Sequence, residues 1–497
     1  MAGMMARMVI LFITEVMAAR ILMPERYGLI TWGLFLVNLL SMMTGLGLNT
    51  AIRRYIPLYE AEQDHQSSVE IIRFSAMLSL IGGLLGAVLL FAGVGWVART
   101  VLGDDRETPV LVILALALPL WNLQKAILAI FSGFKLPSYK VLVEDLLMPL
   151  GFLFVVVLAW TMNWKEIPIA KGYVVVYLLS VVVGVSLVRT RTPYRRIQSD
   201  GQNLRSQTDD LKYRPMEILA FSWPLIFTEP LGKLTGLLDI IIIGALALAY
   251  NVGIFRVASD LAASMSVVLM SFGFMYLPVI SRMAASGDKA AWQDMNARVA
   301  RWSMLVNFPI FATLFFFPEG VINLVYGSAY SDAAPVLRIL ALGYYGHAMV
   351  GFTGMNLAAA GMTKAQLMAH LASLLINVGG NILLIPLFGI KGAAVATLLS
   401  LWAVNGICLV LMKQQLGFHP FNLKYFKNLS ALLLVSTVFA LPLHIRSGLS
   451  DWGVLAIFLS VLFGFAGALY RFGFFTDATD RDVMQLLFKR RFWETPG

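Results

Sequence analysis

Apolar residues fall in runs of about twenty, separated by short polar breaks, and each run is long enough to cross a hydrocarbon layer of about 30 Å as a helix. The runs predict helices over 4–22, 28–52, 70–98, 108–131, 140–162, 169–188, 217–248, 253–281, 298–318, 332–360, 365–388, 391–413, 426–445 and 452–471, roughly fourteen in all. The expected fold is an all-α polytopic membrane protein. The first run lacks a small-residue cleavage site and reads as a retained helix, not a signal peptide.

The longest polar interruption, Arg189–Glu217, reads RTRTPYRRIQSDGQNLRSQTDDLKYRPME. It is too short for a folded domain, so it is expected to be a basic linker. It divides the chain into an N-lobe of helices 1–6 (1–190), the linker (191–216), a C-lobe of helices 7–12 (217–416), helices 13 and 14 (417–475) and a basic amphipathic tail (476–497). Six helices return the chain to its starting side, so the two six-helix lobes are expected to be related by a pseudo-two-fold along the membrane normal. Tyr27-Gly28-Leu29 and Val252-Gly253-Ile254, each opening a long helix, are a weak trace of that repeat.

Composition and charge narrow the class. Of 497 residues, 59% are hydrophobic and 13% charged, too little polar surface for a soluble protein. Lysine and arginine favour one set of connections by roughly three to one, which places both termini in the cytoplasm. The net charge of +10 is therefore a topology signal that needs no nucleic acid. The single cysteine, Cys408, allows no internal disulfide and reads as a buried inert thiol.

One acid stands out. Asp239 follows Leu237-Leu238 and precedes Ile240–Ile243, on a helix that Pro224, Pro230, Gly232 and Gly236 are expected to interrupt. A carboxylate at mid-membrane costs roughly 2.5–3.5 kcal/mol, so such groups face a cavity or an ion. This is the pattern of a transporter's working helix. On helix 11, Asn377 and Asn381 are spaced i, i+4 and share a face. His347 and His370 lie in apolar spans and are expected to hydrogen-bond between helices. Glu144-Asp145 is expected to open helix 5, Gly351 and Gly379 to permit close packing, and Trp292 and Trp302 to anchor at the interface.

The segments AARILMPERYG and GLGLNTAIRRYIP, LLDIIIIGAL and NVGIFRVAS, then VINLVYGSAYSDAAPVLRILALG, LAAAGMTKAQ and NILLIPLFGIKGAAVATLLS carry a resemblance over residues 18–413. In order and spacing they resemble the polysaccharide transporter (oligosaccharide flippase) family. It lies within the superfamily that holds the multidrug and toxin extrusion transporters and the lipid II flippase. One departure is a shorter stretch before the exit of helix 1 than the family carries. The resemblance implies an outward flippase in the bacterial plasma membrane. Its substrate would be a polyprenyl-diphosphate-linked oligosaccharide for surface polysaccharide, and polysaccharide polymerases and glycosyltransferases would be its partners. Helices 1–6 would rock against helices 7–12.

A diphosphate needs cations, and the candidates are Arg20, Arg53, Arg54, Lys125, Lys233 and Arg256. Arg20, Arg53 and Arg54 lie near span ends, where snorkelling is the alternative. Arg256 has Asp260 one turn later and Lys233 has Glu229 one turn earlier, the spacing of intrahelical ion pairs. The likeness to the lipid II flippase further implies a sodium site from Asp239, Asn377, Asn381, Thr397 and the carbonyl of Ala393. Here an amide stands where a second acid would add charge, so a proton on Asp239 is the other candidate. The alternative is an interhelical hydrogen-bond cluster around a protonated Asp239.

No cofactor is expected beyond Na+ or H+ as coupling ion. The chain carries no GxxxxGK[ST] loop, HExxH or nucleophile elbow, so an enzyme is not expected. Two other functions remain as alternatives. A multidrug or cation antiporter would share the fold but favour an acidic, aromatic cavity. A membrane polymerase or glycosyltransferase would need a sizeable external loop.

Overall fold

A computed structural model describes residues 2–97, 108–192, 214–222, 231–433 and 456, all without a strand. In hydrocarbon every backbone N–H and C=O must be satisfied internally, which an α-helix does within one segment. The helices are α1 (Ala2–Thr44), α2 (Leu48–Ala61), α3 (His65–Val97), α4 (Thr108–Ala115) and α5 (Ala117–Gly133). Next come α6 (Pro137–Lys140), a π-helix (Val141–Leu147), α7 (Met148–Thr161), α8 (Glu166–Arg191) and α9 (Pro215–Ser222). Then follow α10 (Leu231–Ser286), α11 (Lys289–Phe316), α12 (Pro318–Val325), a 3-10 turn (Ser328–Ala333), α13 (Ala334–Val350), α14 (Thr353–Ala359), α15 (Thr363–Phe388) and α16 (Ile390–Leu416). Among the described residues eight helices have the length and apolarity of a membrane span. The count is nine if the pair Gly3–Thr44 and Leu48–Ala61, bent by 48°, is one span. The chain is a multi-pass membrane protein.

The described residues form two compact units. The first takes residues up to Val257 with Val325–Tyr330 and Asn377–Ala393; the second takes Ala258–Leu324, Ser331–Ile376 and the described residues from Ala394 onward.

In the first unit α2, α3, α5 and α8 pack around Ile52, Ile56, Ile71 and Phe131, and α9 adds Ile218. Two long helices each contain a backbone reversal. In α1 it falls at Met23 (φ 63, ψ 166), next to Pro24. Proline has no N–H and disfavours helical geometry in the residue before it, so the break has a local cause. In α10 Leu248 adopts nearly the same angles (φ 70, ψ 159) with no proline beside it.

Gly28 follows Met23 at the interval at which Gly253 follows Leu248, and the two glycines pack reciprocally. A Cβ on Gly28 would lie 1.8 Å from the Ala249 carbonyl oxygen, and one on Gly253 would lie 2.1 Å from the Pro24 carbonyl oxygen. Nearby, Trp32 Nε1 donates to the Ile241 carbonyl at 3.2 Å. Gly244 leaves the room that the Trp32 ring fills.

The second unit packs α11 against α13, with Phe311 and Tyr345 stacked at 4.3 Å. Beside them lies a buried polar knot. Trp292 Nε1 and Tyr276 Oη donate to Asn356 Oδ1 at 2.7 and 2.9 Å, and Asn356 Nδ2 donates to Asn296 Oδ1 at 2.9 Å. His347 Nδ1 and Asn405 Nδ2 lie 2.8 Å apart, the interhelical contact expected for that histidine.

Several local expectations are corrected. Gly232 and Gly236 lie in the helical stretch of α10 that precedes Ala247 and do not interrupt it. The span expected over 332–360 is broken at Gly351 (φ 73), which ends a helix and also permits the expected close packing, its Cβ position lying 3.1 Å from Ala300. Gly379 has nothing within 4 Å of its Cβ position and serves no close contact. Glu144 and Asp145 sit in the π-helix instead of starting a new one, and both face Arg7. Trp292 and Trp302 are buried, at 6% and 8% exposure, instead of interfacial. Pro224 and Pro230, most of the linker, nearly all of helices 13 and 14, and the tail lie outside the described residues.

The glycine contacts give a paired test. Gly28→Ala and Gly253→Ala each force backbone apart and are expected to destabilise by about 1–3 kcal/mol. Gly379→Ala meets open space and is expected to be neutral or to stabilise by about 0.5–1 kcal/mol. Thermal unfolding of the purified protein in detergent measures all three.

Candidate functional site

Asp239 lies in the first half of α10 and is 2% exposed. Asn377 and Asn381, both fully buried, project from the same face of α15. Their Nδ2 atoms donate to the same carboxylate oxygen, Asp239 Oδ1, at 2.8 and 2.7 Å. Asn381 Nδ2 also reaches the Asn377 backbone carbonyl at 2.9 Å and Asn377 Oδ1 at 3.3 Å. Asn381 Oδ1 is buried with no hydrogen-bond partner among the described residues.

A half-turn of either amide exchanges a donor for an acceptor. The same three side chains can therefore clamp a bare carboxylate or offer oxygens to a hard cation, and an orphaned buried acceptor fits the second use. Ala393 is buried on the first turn of α16, in the same unit. Thr397, also buried, belongs to the second unit. The structure thus brings Asp239, Asn377 and Asn381 into contact.

The candidate cations separate. Arg256 Nη2 donates to Glu15 Oε1 at 2.7 Å, and its guanidinium lies 5.1 Å from the centre of the Phe35 ring. Arg7 pairs with Glu144 at 2.6 Å and lies 3.6 Å from Asp145. These two ion pairs border one cavity of about 290 Å³, and among the described candidate side chains Arg256 is the one that lines it.

Lys125 is half-buried, donating to Ser41 Oγ at 3.0 Å with its ammonium 5.5 Å from the Trp121 ring centre. Arg20 is exposed and donates to the Val325 carbonyl at 2.8 Å. Arg53 and Arg54 are exposed on α2, where Arg54 lies over Phe221 at 4.2 Å. Lys233 is on the first turn of α10, with its side chain outside the described residues, as is Glu229.

Sequence reasoning missed Glu15, Arg7 and Glu144. The signal for Glu15 was present, since it is a lone acid inside the apolar run VILFITEVMAA, the same mark that singled out Asp239. Its partner is 241 residues away, beyond the reach of any spacing rule.

Long apolar helices, two of them reversed at Met23 and Leu248, with charge buried between them, suit a multi-pass membrane transporter fold. The structure aligns with the lipid II flippase MurJ in an inward closed conformation, with a TM-score of 0.67, 14% identity and coverage of 94% of this chain and 97% of that one. It also aligns with an inward-facing multidrug resistance MATE family transporter of the MOP superfamily, with a TM-score of 0.66, 13% identity and coverage of 83% and 94%. At these identities the likeness is one of fold.

The polysaccharide biosynthesis protein family matches residues 16–335, and the chain belongs to that family. The lipid II flippase MurJ pattern matches residues 237–463. An uncharacterised membrane protein of Methanocaldococcus jannaschii is 24% identical over 377 residues, 72% of each chain. A probable low-salt glycan biosynthesis flippase of Haloferax volcanii is 28% identical over 170 residues, 34% of this chain and 36% of its own length.

A double-mutant cycle tests the long-range pair. Glu15→Gln and Arg256→Gln are each expected to destabilise the protein, and the double variant to cost less than their sum by about 0.5–3 kcal/mol. Unfolding of the four proteins in detergent reads this coupling.

Proposed function

We propose that the protein is a flippase. It carries a polyprenyl-diphosphate-linked oligosaccharide from the cytoplasmic to the outer leaflet of the plasma membrane, for surface polysaccharide. The observation that carries this reading is the family match over residues 16–335. The similarity to a probable glycan biosynthesis flippase supports the same substrate class. A glycan headgroup cannot cross hydrocarbon unaided, so the protein shelters it while the lipid tail stays in the bilayer. Both termini lie in the cytoplasm, by the bias of positive charge. Glycosyltransferases supply the substrate and a polymerase consumes it.

The cycle is alternating access. Moving two negative charges outward, down an inside-negative potential, releases about 4.6 kcal/mol at 100 mV, at about 2.3 kcal/mol per charge. A coupled ion adds to that. We assign its site to Asp239, Asn377 and Asn381, with the Ala393 carbonyl of the same unit as a further oxygen. The ion is Na+ held by oxygens or H+ on the carboxylate. The buried oxygen of Asn381 that lacks a donor supports this assignment. Arg20, Arg53, Arg54, Lys125 and Lys233 supply the positive charge for the diphosphate, whereas the charge of Arg256 is taken up by Glu15.

Deleting the gene in its native host is expected to trap lipid-linked sugar in the inner leaflet without shortening its glycan. Shortened glycans would point to a polymerase instead. With purified protein in vesicles, Asp239→Asn is expected to abolish any dependence of flipping on the sodium or proton gradient. Flipping that responds to both gradients as the parent does would remove the ion site from the reading.

A further inference from the structure

The cavity of about 290 Å³ in the first unit has walls of two kinds. One is aromatic. Trp121 on α5 stacks on Tyr177 of α8 at 4.9 Å, with 22° between the rings. Phe152 on α7 meets Tyr173 and Tyr177 edge-on at 4.8 and 5.6 Å. The other wall is ionic, formed by Arg7, Glu15, Glu144 and Arg256, two charges of each sign joined in two pairs. Tyr173 and Tyr177 line the cavity, yet neither hydroxyl has a hydrogen-bond partner among the described residues.

Charge and size select the ligand. A phosphate would call for net positive charge and an organic cation for net negative charge; these four side chains sum to neither, and Asp145, 3.6 Å from Arg7, and Lys140, 3.7 Å from Glu144, add one charge of each sign behind them. Their paired carboxylates and guanidinia still offer planar acceptors and donors, already held in position by each other. The aromatic faces offer an apolar surface with polar rims. A pyranose ring presents the matching pattern, with C–H bonds on its faces and hydroxyls around its edge. At about 290 Å³ the cavity lies at the small end of small-molecule pockets, about 300–1,000 Å³, a size that suits one sugar residue better than an extended glycan.

We propose that this cavity is a monosaccharide subsite that holds one sugar of the translocated glycan. The proposal rests on the flippase reading and deepens it by placing recognition of the sugar apart from recognition of the diphosphate. Tyr173 and Tyr177 donate to ring hydroxyls, Glu15 and Glu144 accept from them, and Trp121 and Phe152 cover the C–H faces.

The test uses the full chain in lipid nanodiscs with three probes: methyl glycosides of hexoses and N-acetylhexosamines, sugar-free undecaprenyl diphosphate, and tetraphenylphosphonium. Fluorescence of Trp121, taken as the difference between the parent and Trp121→Phe, reports occupancy of the cavity. At least one glycoside is expected to saturate this signal. Tyr173→Phe and Tyr177→Phe, which remove only an oxygen, are expected to weaken that glycoside about tenfold, which is about 1.4 kcal/mol. Binding of undecaprenyl diphosphate is expected to stay the same in both. Diphosphate binding with no saturable glycoside overturns the subsite alone. Glycoside binding without diphosphate binding supports the subsite and overturns the flippase reading. Saturation by tetraphenylphosphonium in place of any glycoside overturns the subsite, as does parent-like glycoside binding in both tyrosine variants.

Discussion

A carboxylate inside hydrocarbon must be given partners by the protein, because lipid supplies none. Asp239, at 2% exposure between leucines and isoleucines, sets that requirement for the first unit. Two amides must reach one carboxylate oxygen, so both must project from the same side of α15, which explains their i, i+4 spacing. Their arrival fixes the rotation of α15 about its axis and its height against α10. It also accounts for the placing of Asn377–Ala393 in the same unit as Asp239.

A second constraint lies in the backbone. Met23 and Leu248 turn the chain with almost the same angles, but Pro24 explains only the first. At Leu248 the sequence ALALAYNVG contains no residue that forbids a helix. The turn there is held by packing. Gly253 admits the Pro24 carbonyl, and Gly28 admits that of Ala249. Each partner thus presents the same feature to the other, a glycine to a carbonyl.

Much of the fold was legible because apolar length is a strong signal. The predicted span over 169–188 lies within Glu166–Arg191, and that over 365–388 nearly coincides with Thr363–Phe388. Breaks inside apolar runs were less legible. The end of α1 at Thr44, the stop at Gly351 and the π-turn at Val141–Leu147 change hydrogen bonding without changing hydrophobicity. At the site, Asp239 and the asparagine pair could be read because a lone acid in an apolar run is costly and i, i+4 spacing is local. Arg256 with Glu15 could not be read as a pair, because nothing in a helical period links residues 241 apart. Trp292 was misread for a related reason. Tryptophan suits an interface or a polar core equally well, and only Asn356 decides between them.

The two polar centres of the first unit differ in a way that matters for transport. The two amides that reach Asp239 Oδ1 are neutral and bring no charge of their own to the carboxylate. Around the cavity each acid already faces an arginine, and its charge is balanced without any visitor. A cation therefore gains more from the first centre and a neutral polar molecule more from the second. On the flippase reading, this division keeps ion and glycan from competing for one set of ligands. The acids of the cavity serve as hydrogen-bond acceptors because the arginines remove their pull on cations, a property of the pairs that neither member has alone.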